Sequence, residues 1–168
     1  MPPRLRPTRL EYVVDGVKLR SQLSAAALEL VGASAELNGV GPRMATLQDD
    51  AFDALRDLGT AGERFDVIIL DPPAFIKRRK DQKQGEKAYH KLNRLALEIL
   101  ADGGVLVSAS CSFHLGREAL LDAVLRAGRD TGRELQILEE GHQGPDHPIH
   151  PAIPETAYLK AFFARAMS

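Results

Sequence analysis

The chain has one cysteine, no tryptophan and few aromatic residues, 5% of 168 positions. A single thiol excludes an internal disulfide framework and fits a reducing compartment. An excess of either charge is missing as well: Lys+Arg 22 against Asp+Glu 23 leave a formal net charge of -1. The total charge therefore favours no class of partner, and only a local basic patch would point to nucleic acid. No apolar run approaches the ~18 residues of a membrane span. Residues 1–9 carry Arg4, Arg6 and Arg9 among prolines, with no apolar stretch. They read as a loose basic arm and not as a signal peptide. The expectation is a cytoplasmic protein with no membrane partner. What is present is ordinary for a globule: 44% hydrophobic and 27% charged residues, in a length of about one domain.

Two β-prone runs, Glu11 to Val14 and Val17 to Arg20, flank Asp15-Gly16, a two-residue hairpin signal. Ser24 is placed to cap a helix from Ala25 to Asn38, with Gly39 as its stop and Leu28, Val31, Ala35 and Leu37 as its apolar face. A short strand follows at Arg43 to Leu47, then a short helix from Asp50 to Leu58. Phe65 to Leu70 is an unbroken apolar run, the pattern of a parallel strand buried on both faces. Ala74 to Gly85 reads as a basic polar loop. Glu86 to Leu100 reads as a helix bearing Leu92, Leu95, Ile99 and Leu100, ended by Asp102-Gly103-Gly104. Val105 to Ala109 is a second buried strand, Arg117 to Gly128 a helix and Leu135 to Glu139 a strand. A proline-rich loop from Gly141 to Pro154 leads to a last strand, Tyr158 to Ala164. Strands alternating with helices predict a doubly wound α/β sheet.

In such sheets ligands bind beyond the carboxyl ends of the strands. Three residues with chemical potential fall there. Phe65 to Leu70 runs into Asp71-Pro72-Pro73, Val105 to Ala109 runs into Ser110-Cys111-Ser112, and Asp50 follows the strand before it. A carboxylate and a thiol are thus expected on one sheet edge. A buried cysteine is otherwise an inert small hydrophobe, and Asp50 is also a natural helix cap. Lys77, Arg78, Arg79, Lys80, Lys83 and Lys87 lie close together just after Asp71. A run of this kind is suited to an RNA backbone, although such runs also form plain solvated loops. His142, His147 and His150 share the late loop, but without a second thiol or a carboxylate cluster at ligand spacing no metal site is expected.

From Ser24 onward the chain resembles the RlmI-type large-subunit ribosomal RNA cytosine-5 methyltransferases. The matching segments are Ala27-Leu28-Glu29, Ala35-Glu36-Leu37-Asn38-Gly39, Gln48-Asp49-Asp50-Ala51-Phe52, Phe65 through Phe75, and Ser108-Ala109-Ser110-Cys111-Ser112. Asp146-His147-Pro148 and Tyr158-Leu159-Lys160 extend the match into the tail. The resemblance implies a Rossmann-like class I methyltransferase domain over residues 24–168, preceded by the arm and hairpin of residues 1–23. It implies S-adenosylmethionine as methyl donor and ribosomal RNA as partner. It further implies Cys111 as the nucleophile that attacks carbon 6 of a cytosine, and Asp71 as the group that hydrogen-bonds the base. Pro72 and Pro73 would stiffen the turn, Phe75 would stack on a flipped base, and Lys77 and Arg78 would contact substrate. Asp50, Ala51 and Phe52 would touch the donor. An amino-group methyltransferase acting through Asp71-Pro72-Pro73, or an inactive remnant that binds RNA or a partner, are the competing readings.

The chain departs from the family pattern in one region. A strand ending in a glycine-rich turn, where backbone amides approach the donor, is expected ahead of the first matched helix. Nothing upstream resembles it, and Gln22 stands where an acid would bind the donor's ribose. Gly39-Val40-Gly41 follows a helix and does not replace that turn. The missing strand is central in the family's sheet, so its loss is expected to leave two strand edges with unpaired backbone groups. Val17 to Leu23, or a second copy of the chain in a homodimer, would close such a gap, and weak binding of free S-adenosylmethionine is expected.

Overall fold

The structure is a computed structural model that describes residues 10–15 and 25–168. The chain divides after Ala54 into two compact units.

The first unit holds β1 (Leu10–Asp15), α1 (Ala25–Leu37) and β2 (Met44–Asp49), with a 3-10 turn at Gly41–Arg43. β1 runs parallel to β2, from Leu10 opposite Met44 to Asp15 opposite Asp49. The second arm of the expected hairpin, the basic arm, Gln22 and the substitute strand at 17–23 lie outside the described residues. α1 ends as its sequence predicts: Gly39 takes a left-handed φ of 67°, and the Val40 amide returns to the Ala35 carbonyl at 2.9 Å. Its apolar face is narrower than expected. Ala35 is buried, but Leu37 is 88% exposed, because two residues of helix turn it roughly 200° away from Ala35. Asp50 caps α2 (Ala51–Thr60), its carboxylate accepting the Phe52 amide at 2.9 Å.

The second unit holds β3 (Phe65–Leu70), α3 (Gln82–Ile99), β4 (Leu100–Ser110), α4 (Arg117–Asp130), β5 (Glu134–His142) and β6 (Lys160–Met167). The sheet order is β3-β4-β6-β5. β3 and β4 are parallel, while β6 runs antiparallel to both β4 and β5. Among the described residues no strand joins this sheet to β1 and β2, and β3 pairs with β4 alone, as a sheet without its central strand requires.

α3 and α4 pack on each other, and α3 also meets β3 and β4. Tyr89, Leu92, Leu95, Ala96, Leu97 and Ile99 of α3 are buried, as are Leu120, Ala123, Val124 and Ala127 of α4. This corrects the expectation that β3 is buried on both faces. Leu70 is buried, but Val67 and Ile69 are 56% and 64% exposed, since alternate residues of a strand point to opposite faces.

Two further expectations change. The region 74–85 is not a plain loop: a 3-10 turn at Arg79–Asp81 leads into α3, and Ile76 is 2% exposed. Gly85 lets Ile76 in, because a Cβ there would stand 2.1 Å from Ile76 Cγ1. Asp102-Gly103-Gly104 does not end the helix either. α3 stops at Ile99, and the three residues form a bulge inside β4, between the pairs Phe65–Leu100 and Val67–Val105. Gly103 has φ 73°, and a Cβ on Gly104 would meet the Ala101 and Asp66 carbonyls at 2.9 and 3.0 Å. Arg133 clamps this junction, donating to the carbonyls of Leu100 at 3.0 Å and Ala101 at 2.9 Å.

Candidate active site

β3 and β4 are hydrogen-bonded neighbours, and Leu70 lies opposite Ser108. Adjacent strands are ~4.8 Å apart, so this register brings the Asp71 turn and the Cys111 turn side by side at the carboxyl end of the sheet. The sequence placed both residues there, and the tertiary structure sets the two turns next to each other.

The Cys111 turn is built by alternation. Ser110 and Ser112 are 0% and 1% exposed, pointing inward, while Cys111 between them is partly exposed and unbonded to any other cysteine. The serine hydroxyls are anchors. Tyr89 of α3, 1% exposed, places its hydroxyl 2.8 Å from Ser110 Oγ and 3.1 Å from Ser112 Oγ. The Ser112 amide donates to Ser110 Oγ at 3.1 Å. A phenol has one proton, so Tyr89 can donate to only one of the two serines.

The same tyrosine reaches the Asp71 turn. Its ring meets Phe75 edge-on, with centroids 4.8 Å apart and planes at 61°, a favoured aromatic geometry. The Ile76 amide makes a long 3.5 Å bond to Ser112 Oγ. Tyr89, Ile76, Leu115, Leu120, Ala123 and Phe162 form one buried cluster, with Phe75 packed against it. Burial pushes the Tyr89 phenol above its ordinary range, against hydrogen bonds from Ser110, Ser112 and the Phe75 backbone that pull it down. Negative charge on Cys111 raises it further. Sequence reasoning missed Tyr89. Its place on the buried face of α3, one helical turn before Leu92 and Asn93, was the available signal.

A second missed contact comes from β6. Ser110 lies opposite Lys160, and Lys160 Nζ donates to the Ser112 carbonyl at 2.5 Å. Burial lowers the Lys160 ammonium from its ordinary range, while charge on Cys111 holds it up.

The other predicted residues are distributed as follows. Asp71 and Pro73 are exposed and Pro72 is buried. Phe75 is partly buried, engaged with Tyr89 and the core cluster. Lys77 and Arg78 are exposed, and Arg78 pairs with Asp81 at 3.1 Å. Phe113, not anticipated, is 46% exposed beside the Cys111 turn, its ring centroid 5.4 Å from that of His114. Asp50, Ala51 and Phe52 stand in the first unit, at the start of α2. Among the described residues no group of three or more His, Cys, Asp or Glu is placed to hold a metal ion, and no helix is long and apolar enough to cross a membrane.

A β-α-β unit feeding a sheet in which the penultimate position is taken by an antiparallel strand defines a Rossmann-like fold of the class I S-adenosylmethionine-dependent methyltransferase type. A solved structure described as a SAM-dependent methyltransferase from Streptococcus mutans superposes with TM-score 0.72 at 22% identity, over 86% of this chain and 37% of that one. A methyltransferase homologue from Pyrococcus horikoshii gives TM-score 0.58 at 20% identity, over 84% and 50%. No protein-family model matches the chain. Curated relatives are closer in sequence. The ribosomal RNA large subunit methyltransferase I of Aeromonas salmonicida is 41% identical over 145 residues, which is 86% of this chain and 37% of the relative. That of Serratia proteamaculans is 38% identical over the same shares. Over most of its own length the chain is therefore a homologue of the ribosomal RNA large subunit methyltransferase I proteins, and it spans somewhat over a third of their length.

At the end of β2, Asp49 and Asp50 spend carboxylate oxygens on the Asp50 and Phe52 amides at 2.8 and 2.9 Å. No strand among the described residues runs into a glycine-rich turn: Gly39 and Gly41 follow α1.

Proposed function

We propose that this chain carries the base-attacking part of an S-adenosylmethionine-dependent ribosomal RNA methyltransferase that modifies carbon 5 of cytosine through Cys111. The observation that carries this reading is the partly exposed thiol held between two buried, anchored serines beside the Asp71 turn. Homology to ribosomal RNA methyltransferases supports the substrate class.

Carbon 5 of cytosine is a weak nucleophile. The Cys111 thiolate adds to carbon 6, forming a C–S bond and moving electron density toward carbon 5 and the ring nitrogen. Asp71, at the neighbouring strand end, accepts a hydrogen bond from the exocyclic amine and orients the base. When bound, the donor supplies the methyl group. Water or another base takes the carbon-5 proton, the electrons of that C–H bond restore the C5–C6 double bond, and the C–S bond breaks to return the thiolate. Reaching the base requires it to leave its stack. Phe75 and the exposed Phe113 are assigned to stacking on the base, and Lys77 and Arg78, exposed just after the Asp71 turn, to the phosphate backbone. Asp50, Ala51 and Phe52 are assigned to the adenine end of the donor. With its methionine-end turn lacking, the chain is expected to bind free donor weakly unless a further segment or a second copy completes the sheet.

The test is covalent trapping. RNA containing 5-fluorocytosine cannot lose its carbon-5 substituent, so a completed attack leaves a stable protein–RNA adduct. An adduct that forms with donor present and vanishes in Cys111→Ser is expected. Methylation that persists undiminished in Cys111→Ser would instead assign the Asp71-Pro72-Pro73 turn to amino-group chemistry.

A further inference from the structure

We propose that the segment joining β5 to β6, from Gln143 to Leu159, is a base-contacting element: it receives unstacked RNA bases flanking the target against Ile149 and Ile153, with Gln143 as its positioning residue. This deepens the reading of RNA as substrate and rests on it.

The placement comes from the sheet. Lys160 of β6 stands opposite Ser110 of β4 on one side and His142 of β5 on the other. The segment therefore leaves and rejoins the sheet at the level where β4 gives way to the Cys111 turn, the end at which open α/β sheets bind ligands. Its exit is tied to that turn: Lys160, the residue after Leu159, donates from Nζ to the Ser112 carbonyl at 2.5 Å. Gln143, 6% exposed, closes the two ends of the segment. Its Nε2 donates to the Thr156 carbonyl, and its Oε1 accepts the Leu159 amide at 3.3 Å. Thr156 carries the frame outward, its hydroxyl accepting the His150 amide at 2.8 Å and donating to the Ile153 carbonyl at 2.7 Å.

Every residue from 144 to 155 is nonetheless exposed. Fixing backbone costs conformational entropy, and this stretch buries no side chain in return, so its order serves what its outer face touches. Pro145, Pro148, Pro151 and Pro154 stiffen that face. Ile149 and Ile153 are 52% and 47% exposed and flank a turn in which the Ile153 amide returns to the His150 carbonyl at 2.9 Å. From Gln143 to Leu159 the sequence has no Lys or Arg, and it carries the acids Asp146 and Glu155. Such a surface does not attract phosphate. What it offers RNA is apolar contact with the faces of bases already out of their stack. The phosphate backbone is left to the cations Lys77 and Arg78, which lie outside this segment.

The two kinds of contact separate by their response to salt. Affinity of the full chain for a short, fluorescein-labelled, cytosine-containing single-stranded RNA is measured by anisotropy over a series of salt concentrations. The pair Ile149→Ala and Ile153→Ala trims only exposed side chains, so the fold is expected to stand. It should weaken binding by about tenfold and leave the slope of affinity against salt unchanged. The pair Lys77→Gln and Arg78→Gln should flatten that slope instead. Gln143→Leu, which removes both side-chain bonds that close the segment, should weaken binding in the same salt-independent way, and combining it with the isoleucine pair should add little. An isoleucine pair within twofold of the parent, a flattened slope in that variant, full additivity with Gln143→Leu, or no binding of this RNA by the parent chain overturns the proposal. The readout does not involve Cys111, so the two readings fail separately. Binding that depends on Ile149 and Ile153 without a 5-fluorocytosine adduct upholds this proposal and removes the cytosine-5 reading. A normal adduct with an isoleucine pair that binds like the parent does the reverse.

Discussion

Replacing Tyr89 with phenylalanine removes one oxygen atom from a site where two serines depend on it. The tyrosine hydroxyl sits 2.8 Å from Ser110 Oγ and 3.1 Å from Ser112 Oγ, and all three side chains are at most 1% exposed. No solvent takes the vacated place without rearrangement. Ser110 keeps the Ser112 amide, and Ser112 keeps only the long bond from the Ile76 amide. A buried polar group left without its partner costs about 1–3 kcal/mol. One serine losing most of its bonding and one losing part of it gives about 2 kcal/mol for Tyr89→Phe. That corresponds to a fall of roughly 8 °C in the midpoint of the second unit. The ring, its contact with Phe75 and the cluster around it all remain, so the loss is confined to the hydroxyl. Urea titration measures the stability change, and covalent trapping measures whether the Cys111 turn holds its geometry. Trapping is expected to slow by about tenfold or more, because small displacements of a nucleophile are costly. A variant as stable as the parent to within about 0.5 kcal/mol, trapping at the parental rate, would show that the hydroxyl does not organise the turn.

Tyr89 also sets a pH dependence. Its phenol is raised above the ordinary value of 10.0, so the folded state holds the proton more tightly than the unfolded chain. The stabilisation is fully present below about pH 10 and is lost as pH rises through the folded-state value; an alkaline urea series should show a decline that is smaller in Tyr89→Phe. Gly85→Ala drives a Cβ to 2.1 Å from Ile76 Cγ1 and is expected to cost about 1–3 kcal/mol. In the Ile76→Ala background the same change should cost much less, and equal costs in the two backgrounds would refute the overlap. Arg133→Met strips donors from the Leu100 and Ala101 carbonyls and is expected to lose about 2 kcal/mol in urea unfolding, with alkylation of Cys111 unchanged.

The sequence alone carried the alternation of strands and helices, the turn after Phe65 to Leu70, and the thiol after Val105 to Ala109. These are local patterns: an apolar run followed by proline or serine announces a strand end whatever packs around it. It also carried the gap, because a missing glycine turn is visible without coordinates. The homology over 86% of the chain agrees with the resemblance read from those motifs. Tertiary structure decided what local pattern cannot hold. The apolar run of β3 is the same string whether one face or two are covered, and only the packing of α3 and α4 shows Val67 and Ile69 left exposed. Asp102-Gly103-Gly104 is as good a helix stop as a strand bulge, and pairing with Phe65 and Val67 chose the bulge. Tyr89 and Lys160 lie far from Cys111 along the chain in opposite directions, and only the folding of α3 and β6 around β4 brings a phenol and an ammonium to the same turn.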